Sequence, residues 1–178
     1  GGKLPHYRVL DKVVKEVSQK SRGGGATVTF NVLDPEIEAL LSLKLPRTIE
    51  ERRIETLDYS LCFNNEFLRR AAQKKDWCVV SKRVYPELHD AFYNQSESFD
   101  ELMELALEQG IGKRVSAFDI LVKYLQARQE TGRMYAYNIS AGNAHTPFDE
   151  TVRLSNLCVA PETKILTENK YKTISELD

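Results

Sequence analysis

Two stretches of the chain combine residue types that could do chemistry. The first, SQKSRGGGAT, places Lys20 and Arg22 beside a run of three glycines. Main-chain N–H groups and cationic side chains could therefore approach a phosphate or a base. The spacing matches neither a P-loop nor a dinucleotide fingerprint. Taken alone, these residues favour a flexible connecting loop.

The second stretch, NAHTPFDETVRLSNLC, holds a possible nucleophile and base in Cys158, His145 and Asp149, with Asn156 beside them. A cysteine and a histidine within one segment are weak evidence for a catalytic pair, because the partners in such sites usually meet across the fold. We therefore assign His145 no catalytic role and interpret it as a loop histidine.

Composition limits the classes of protein to consider. The chain has 178 residues, of which 42% are hydrophobic and 29% charged, as expected for one soluble domain or part of a larger one. The formal net charge of -1 gives no general signal for binding nucleic acid or an anionic membrane. No apolar run approaches the roughly 20 residues needed to cross a bilayer, and no signal peptide is evident. We expect a cytoplasmic protein.

The three cysteines give no sign of a disulfide framework or a metal site. Cys62, Cys78 and Cys158 are widely spaced, with no CxxC pattern and no nearby histidine pair. We predict no metal site, and we interpret Cys62 and Cys78 as small buried side chains on apolar strands. The missing initiator Met and the end at Asp178 suggest a fragment.

Strand and helix patterns alternate along the chain, which predicts an α/β fold. A helix over residues 7–17 is followed by the glycine-rich loop, and ATVTFNVLD predicts a strand. Asp34-Pro35-Glu36 then predicts the start of a helix that ends near Leu43. TLDYSLCF and DWCVVS predict two further strands around a short helix, NEFLRRAAQKK.

The second half continues this alternation. Ser98 with Glu101, and Ser116 with Asp119, have the spacing of capping boxes at two helix starts. RMYAYNIS predicts a strand and AGNAHTPFD a loop. The helix after Ser116 is expected to present one apolar stripe, made of Val115, Phe118, Leu121, Val122 and Leu125.

An ordered series of motifs from about Pro5 to Cys158 resembles the large, catalytic subunit of class I ribonucleotide reductases. SRGGGATVTF resembles the family's glycine-rich specificity loop and the barrel strand after it, and DPEIEALLSLK resembles the following helix. LDYSLCFNNEF and VYPELHDAFY resemble the next strand and a later short helix. TGRMYAYNISAGNAHTPFDETVRLSNLC resembles the approach to the active-site cysteine.

The resemblance implies both a fold and a reaction. The fold is a ten-stranded α/β barrel with a central finger loop, of which residues 1–157 would form part. The reaction replaces the ribose 2′-hydroxyl of a ribonucleotide by hydrogen, started by a cysteine thiyl radical and completed with electrons from a separate cysteine pair. Cys62 and Cys78 match neither member of that pair, so this chain alone is expected to be inactive.

The resemblance also assigns residues and partners. Asn156 matches the asparagine that binds substrate hydroxyls, and Cys158 occupies the radical position. Gln19 and Arg22 match polar residues of the specificity loop, which as a whole comprises Ser18, Gln19, Lys20, Ser21, Arg22, Gly23 and Gly24. The implied partners are a ribonucleotide substrate, ATP or deoxynucleotide effectors, a second large subunit, a small subunit whose metal centre supplies the radical, and thioredoxin or glutaredoxin. We expect no cofactor to be held by this chain itself, and no nucleic acid or membrane partner.

The sequence changes character after Leu157. Residues 158–178 resemble the N-terminal segment of an intein of the Hint type, with a leading cysteine, the alternating KILT, a turn at ENKY, and KTISEL. The Cys158 thiol would then attack the Leu157 carbonyl to form a thioester, which a downstream residue captures before the intein leaves. The fold prediction for the whole chain is therefore a partial α/β barrel followed by a short β-rich intein start.

Three other interpretations remain open. The tail could be a species-specific insertion or the product of a frameshift. The whole chain could instead be the N-terminal part of an intein precursor, complete or split, whose own activity is protein splicing. A structural or binding module would require the ordered motif series to be accidental.

Overall fold

The computed structural model describes residues 2–17, 25–154, 162–167 and 170–176. They form seven α-helices, seven β-strands and two short 3₁₀ helices. The helices are α1 (Leu4–Glu16), α2 (Ile37–Leu41), α3 (Asn65–Ala72), α4 (Pro86–Asn94), α5 (Phe99–Gln109), α6 (Ala117–Thr131) and α7 (Ile139–Ala144). The strands are β1 (Thr27–Asn31), β2 (Asp58–Phe63), β3 (Asp76–Val79), β4 (Lys113–Ser116), β5 (Met134–Asn138), β6 (Lys164–Leu166) and β7 (Tyr171–Thr173). The 3₁₀ helices cover Glu50–Arg52 and Ile174–Glu176.

Three parallel strands form the central sheet, in the order β1-β2-β5. β2 lies in the middle and is almost wholly buried, as its apolar sequence DYSLCF requires. Thr27 pairs with Asp58, and Tyr59 pairs with Met134, so the three carboxyl ends meet at one edge of the sheet. The mixed α/β prediction is confirmed for this part of the chain.

The hydrophobic core lies between this sheet, the helices and the antiparallel pair β3-β4. Trp77 of β3 is fully buried, and its indole N–H donates to the Val32 carbonyl at 2.9 Å. The Phe67 ring meets the Trp77 ring edge to face, with centroids 5.2 Å apart. These contacts join the end of β1, α3 and β3, and they place Trp77 in the core.

Helix α1 runs back along the sheet from the carboxyl edge. The Lys3 ammonium binds the Asp34 carboxylate, and the Lys3 main-chain N–H donates to Glu36 at 2.8 Å. Tyr7 packs against Tyr59 of β2, with ring centroids 6.2 Å apart. The predicted helix is confirmed, but it begins three residues earlier than expected. Four of the apolar residues that indicated it, Val9, Leu10, Val13 and Val17, are exposed.

One of the two capping predictions is confirmed. The Ser116 hydroxyl accepts a hydrogen bond from Asp119 N–H at 3.1 Å and caps α6. Ser98 has helical dihedral angles and makes no side-chain cap, so that prediction is wrong. The stripe predicted for α6 is also wrong, because Phe118 and Leu125 are exposed. The buried face consists of Ala117, Ile120, Tyr124 and Ala127.

Two further elements differ from the sequence prediction. Helix α2 ends at Leu41, two residues earlier than expected. The short helix α7 covers the last two residues of the predicted strand RMYAYNIS and the first four of the predicted loop. It forms because the Asn138 side chain accepts from Ser140 N–H at 3.0 Å and Ala141 N–H at 3.2 Å. That cap satisfies two donors that would otherwise lack a helical partner.

The end of the described chain forms a β-hairpin. β6 and β7 pair antiparallel, with Lys164 opposite Thr173, and Thr167 N–H donates to the Lys170 carbonyl at 3.0 Å. The tail therefore contains two short paired strands, and its assignment to an intein stays a prediction. Among the helices of the described residues, none combines the length and apolar character required to cross a membrane.

Candidate functional site

A cluster of polar side chains lies at the carboxyl edge of the three-stranded sheet. Asn31 and Asn138 are the last residues of β1 and β5, and Asn65 begins the helix that follows β2. Ser140 lies in the first turn of α7, and α4 contributes its C-terminal end. We call this group the carboxyl-edge cluster; it comprises Asn31, Asn65, Tyr93, Gln95, Asn138 and Ser140.

One half of the cluster joins β2 to β5. The Ser140 hydroxyl accepts from Asn65 N–H at 3.1 Å and donates to the Gln95 side-chain oxygen at 2.5 Å. The Asn138 amide donates to the Asn65 side-chain oxygen at 2.9 Å. Since Asn138 also caps α7, its side chain has partners for both its oxygen and its nitrogen. This half of the edge is held by directional hydrogen bonds.

The other half joins β1 to α4. The Asn31 amide donates to the Tyr93 hydroxyl at 2.9 Å, and Leu33 N–H donates to the Asn31 oxygen at 3.1 Å. Burial raises the pKa of Tyr93, although the hydrogen bond from Asn31 acts in the opposite direction. The Tyr93 hydroxyl therefore keeps its proton at neutral pH and can both donate and accept hydrogen bonds.

A polar cavity of about 170 Å³ opens beside the first half of the cluster. Ser140 and Gln95 form part of its wall, and the carboxylates of Glu66, Glu97 and Asp100 form another part. The remaining lining residues are Asn64, Ala91, Ser96 and Phe99. A space of this size and polarity suits ordered water or a small polar group.

The segment that continues toward the predicted active-site motif leaves the sheet at this edge. The Arg153 guanidinium donates to the Asn94 side-chain oxygen at 3.2 Å and lies over the Tyr93 ring, 5.8 Å from its centroid. The carboxyl-edge cluster and the approach to SNLC are therefore in direct contact.

The predicted site residues lie outside the described residues. These are Ser18, Gln19, Lys20, Ser21, Arg22, Gly23 and Gly24 of the glycine-rich segment, and Asn156, Leu157 and Cys158. The described residues that flank the first group are Val17, at the end of α1, and Gly25, two residues before β1. The described residues Gly25 and Ala26 lead into β1 at the amino end of the sheet, opposite the carboxyl-edge cluster.

The other chemically interesting residues are described. His145 and Asp149 are exposed. Cys62 and Cys78 are free and buried, which confirms their prediction as small core residues. Burial raises the pKa of Cys62 to about 12, and burial also raises the pKa of Cys78, whose thiol donates to the Ile111 carbonyl at 2.7 Å. Neither cysteine is therefore a thiolate nucleophile at neutral pH.

The carboxyl-edge cluster was not among the predicted site residues, although the sequence contains a signal for it. Asn31 and Asn138 lie within the last four residues of two predicted strands, ATVTFNVLD and RMYAYNIS, and Asn65 lies two residues after a third, TLDYSLCF. The carboxyl ends of parallel strands meet at one edge, where α/β proteins bind their ligands. Parallel pairing of these strands, once assumed, would have brought the three asparagines together.

The fold and this edge define the class of protein: an α/β domain with parallel strands and a polar site at their carboxyl ends. The family model described as "Ribonucleotide reductase, barrel domain" matches residues 1–170, so the chain belongs to that family.

Several similar curated proteins are named as alpha subunits of ribonucleoside-diphosphate reductases. Ribonucleoside-diphosphate reductase 1 subunit alpha of Escherichia coli is 35% identical over 175 residues, which cover 94% of this chain and 23% of that protein. The ribonucleoside-diphosphate reductase subunit alpha of Haemophilus influenzae is 35% identical over 164 residues, which cover 89% of this chain and 22% of that protein. The subunit alpha of Enterobacteria phage T4 is 31% identical over 165 residues, which cover 88% of this chain and 22% of that protein. The chain thus spans less than a quarter of the length of these relatives.

Proposed function

We propose that this chain is part of the catalytic barrel of a class I ribonucleoside-diphosphate reductase large subunit, and that the whole protein makes deoxyribonucleotides for DNA synthesis. The observation that carries the proposal is the family match over residues 1–170. The carboxyl-edge cluster supports it, because the segment leading to SNLC departs from the edge where an α/β barrel holds its substrate. The names of the relatives favour a diphosphate as substrate.

In this proposal the segment after Leu154 carries the chemistry. Asn156 binds the ribose hydroxyls, and the cysteine that follows Leu157 in the mature enzyme removes the 3′-hydrogen as a thiyl radical. The 2′-hydroxyl then leaves as water, and two electrons come from a cysteine pair elsewhere in the protein. A barrel interior suits this reaction because it excludes water and stray hydrogen donors.

The whole protein would act with several partners. The small subunit supplies the radical from its metal centre, and thioredoxin or glutaredoxin restores the cysteine pair. ATP or deoxynucleotide effectors bind at the interface of two large subunits and act through Ser18–Gly24. Arg22→Ala in the complete enzyme should change the preference among ribonucleotides, and an unchanged preference would contradict the assigned loop.

We also propose that Cys158 begins an intein, so that residues 1–157 are the flanking host sequence and residues 158–178 the intein start. The supporting observations are the character of the tail sequence and the β6-β7 hairpin. The Cys158 thiol attacks the Leu157 carbonyl, and the peptide bond becomes a thioester. A downstream cysteine accepts the Leu157 acyl group and so takes the radical position.

Intact-mass measurement of the protein made from the full reading frame tests the splicing proposal. A product with Leu157 joined directly to a downstream cysteine supports it, and Cys158→Ala should then leave the precursor unspliced. A mature protein that keeps Cys158 and the tail contradicts it. Reduction of a ribonucleoside diphosphate by the mature protein with its small subunit tests the reductase proposal separately. Splicing without any reduction would favour the second candidate, a splicing precursor.

A further inference from the structure

The side chain of Asn143 in α7 binds both main-chain groups of Val152. Its Nδ2 donates to the Val152 carbonyl at 2.9 Å, and Val152 N–H donates to its Oδ1 at 2.7 Å. The Nδ2 also donates to the Ile139 carbonyl at 2.8 Å, within its own helix. An asparagine amide has the same donor and acceptor as a peptide group, so it pairs with Val152 as a neighbouring strand would.

A second side chain reaches the same carbonyl. The Tyr137 hydroxyl, from the end of β5, donates to the Val152 oxygen at 3.1 Å. Gly142 makes room for it, since a Cβ at that position would lie 3.1 Å from the Tyr137 hydroxyl oxygen. The Val152 carbonyl therefore accepts two hydrogen bonds from two different elements, β5 and α7.

The next residue, Arg153, extends the attachment to α4 through Asn94 and the Tyr93 ring. Tyr93 in turn accepts the hydrogen bond from Asn31 at the end of β1. Two consecutive residues of one exposed segment are thus tied to β5, α7 and α4, and through Tyr93 to β1. An ordinary surface connection would not need so many directional contacts.

The location of this attachment gives it a function. Val152 lies four positions before Asn156 and six before the residue that follows Leu157. A chain of six residues spans at most roughly 20 Å, so a fixed Val152 confines that residue to within this distance of the attachment point. Because a misplacement of about 1 Å can cost a reaction roughly 10²-fold in rate, the attachment bears directly on catalysis.

We propose that Asn143 and Tyr137 are positioning residues that hold the segment carrying Asn156 and the cysteine after Leu157 in its reactive place. This inference rests on the proposed reductase function. Neither residue touches the substrate; each acts through the main chain of Val152.

The test uses the full-length mature protein with its small subunit, an effector and a ribonucleoside diphosphate. Asn143→Ala removes all three hydrogen bonds of the side chain, and Tyr137→Phe removes only the hydroxyl. Tyr135→Phe is the matched control, because Tyr135 lies on the same strand and is exposed. We expect kcat to fall about tenfold in Asn143→Ala and a few-fold in Tyr137→Phe, with a smaller change in KM, and to stay at the wild-type value in the control.

A second readout separates positioning from general folding and does not need turnover. The rate at which iodoacetamide alkylates the cysteine after Leu157 should rise several-fold in Asn143→Ala. Cys62 and Cys78 are internal standards, since both are buried and should stay unmodified while the fold is intact. If Cys62 and Cys78 become reactive in Asn143→Ala, that variant has lost its fold. The kcat and the alkylation rate of Tyr137→Phe then test the positioning role.

The outcomes distinguish the two proposals. Wild-type kcat and wild-type alkylation in both variants would overturn the positioning role and leave the reductase function standing. A lower melting temperature, with kcat unchanged at temperatures well below the unfolding transition, would also overturn the positioning role and leave the reductase function standing. Failure of the wild-type protein to reduce a ribonucleoside diphosphate would overturn the proposed function, and the positioning role with it.

Discussion

Asn31, the last residue of β1, donates a hydrogen bond to the hydroxyl of Tyr93, which lies near the end of α4, at 2.9 Å. The two residues are 62 positions apart, and both the Asn31 amide and the Tyr93 ring are partly buried. This contact makes one continuous polar edge from the β1 terminus to the Arg153 segment, because the Tyr93 ring also lies beneath the Arg153 guanidinium.

Tyr93→Phe should lower the free energy of unfolding by about 1–2 kcal/mol. The substitution removes the hydroxyl and leaves the partly buried Asn31 amide without that acceptor. Urea unfolding of the chain measures the difference. Tyr171→Phe is the control, because Tyr171 is exposed; an equal loss in both variants would show that the Asn31 contact contributes nothing.

Arg70→Met should destabilise the chain far more than Arg69→Met. The Arg70 side chain is 2% exposed and binds Glu66 at 2.7 Å, Glu104 at 2.7 Å and Asp100. The side chain of its neighbour Arg69 is 47% exposed and shares Glu66 and Asp100. Because Asp100 and Glu104 are 46% and 49% exposed, we expect Arg70→Met to cost between about 1 kcal/mol, the limit for an exposed pair, and about 3 kcal/mol, the cost of breaking a fully buried one.

Denaturant unfolding of the two arginine variants decides this prediction. The comparison is well matched, because the two arginines are adjacent on α3 and have two carboxylate partners in common. Equal destabilisation would mean that burial of Arg70 adds nothing to its ion pairs.

Glu38 should make stability depend on acid pH. Hydrogen bonds from Lys123 and Lys113 lower the pKa of Glu38 from 4.5 to about 2. Since the folded state binds the proton more weakly than the unfolded state, the stabilisation is complete above about pH 4.5. It is lost as the pH falls toward about 2. Glu38 is well exposed, so solvent screening limits the effect to about 1 kcal/mol or less.

Glu38→Gln should therefore reduce stability at neutral pH slightly and flatten its decrease below about pH 4.5. Urea unfolding at several pH values, at low and high salt, measures both effects. An unchanged pH profile would contradict the role of Glu38.

Buried His89 should destabilise the fold when the pH falls below the ordinary histidine range. Burial lowers the pKa of His89 from 6.5, while the hydrogen bond to the Val80 carbonyl at 2.8 Å acts the other way. Lys82 and Lys3 also lower it, and Asp90 raises it. The folded state thus favours the neutral ring, so stability is full above about pH 6.5 and decreases as the pH falls toward the folded pKa.

His89→Gln removes the titrating ring and should flatten the decrease in unfolding free energy between about pH 7 and pH 5. His145→Gln, at an exposed position, is the control. A wild-type pH profile in His89→Gln would show that some other group causes the decrease.

Local patterns predicted the elements better than their arrangement. The β2 strand was evident from its apolar residues, and the start of α6 was evident from Ser116, because both depend on neighbours in sequence. The buried face of α6 was not evident from the sequence. Which of Phe118 and Ala127 is buried depends on the elements that pack against the helix, and the local pattern does not contain that information. The carboxyl-edge cluster depends on contacts such as Asn65 with Ser140, 75 positions apart, which no local pattern contains. The predicted catalytic and effector-binding residues came from family resemblance rather than from local chemistry.

The parallel pairing of β2 with β5 also constrains when the site can form during folding. β2 lies in the centre of the sheet, yet its partner on one side follows only after four helices and two strands. Loop closure over such a separation is entropically costly, and contacts of this kind slow folding. The β1-β2 pair can form first, from a much shorter stretch of chain. Asn138 and Ser140 reach Asn65, and Arg153 reaches Asn94, only after β5 has docked, so the carboxyl-edge cluster is among the last groups of contacts to form in the described part of the chain.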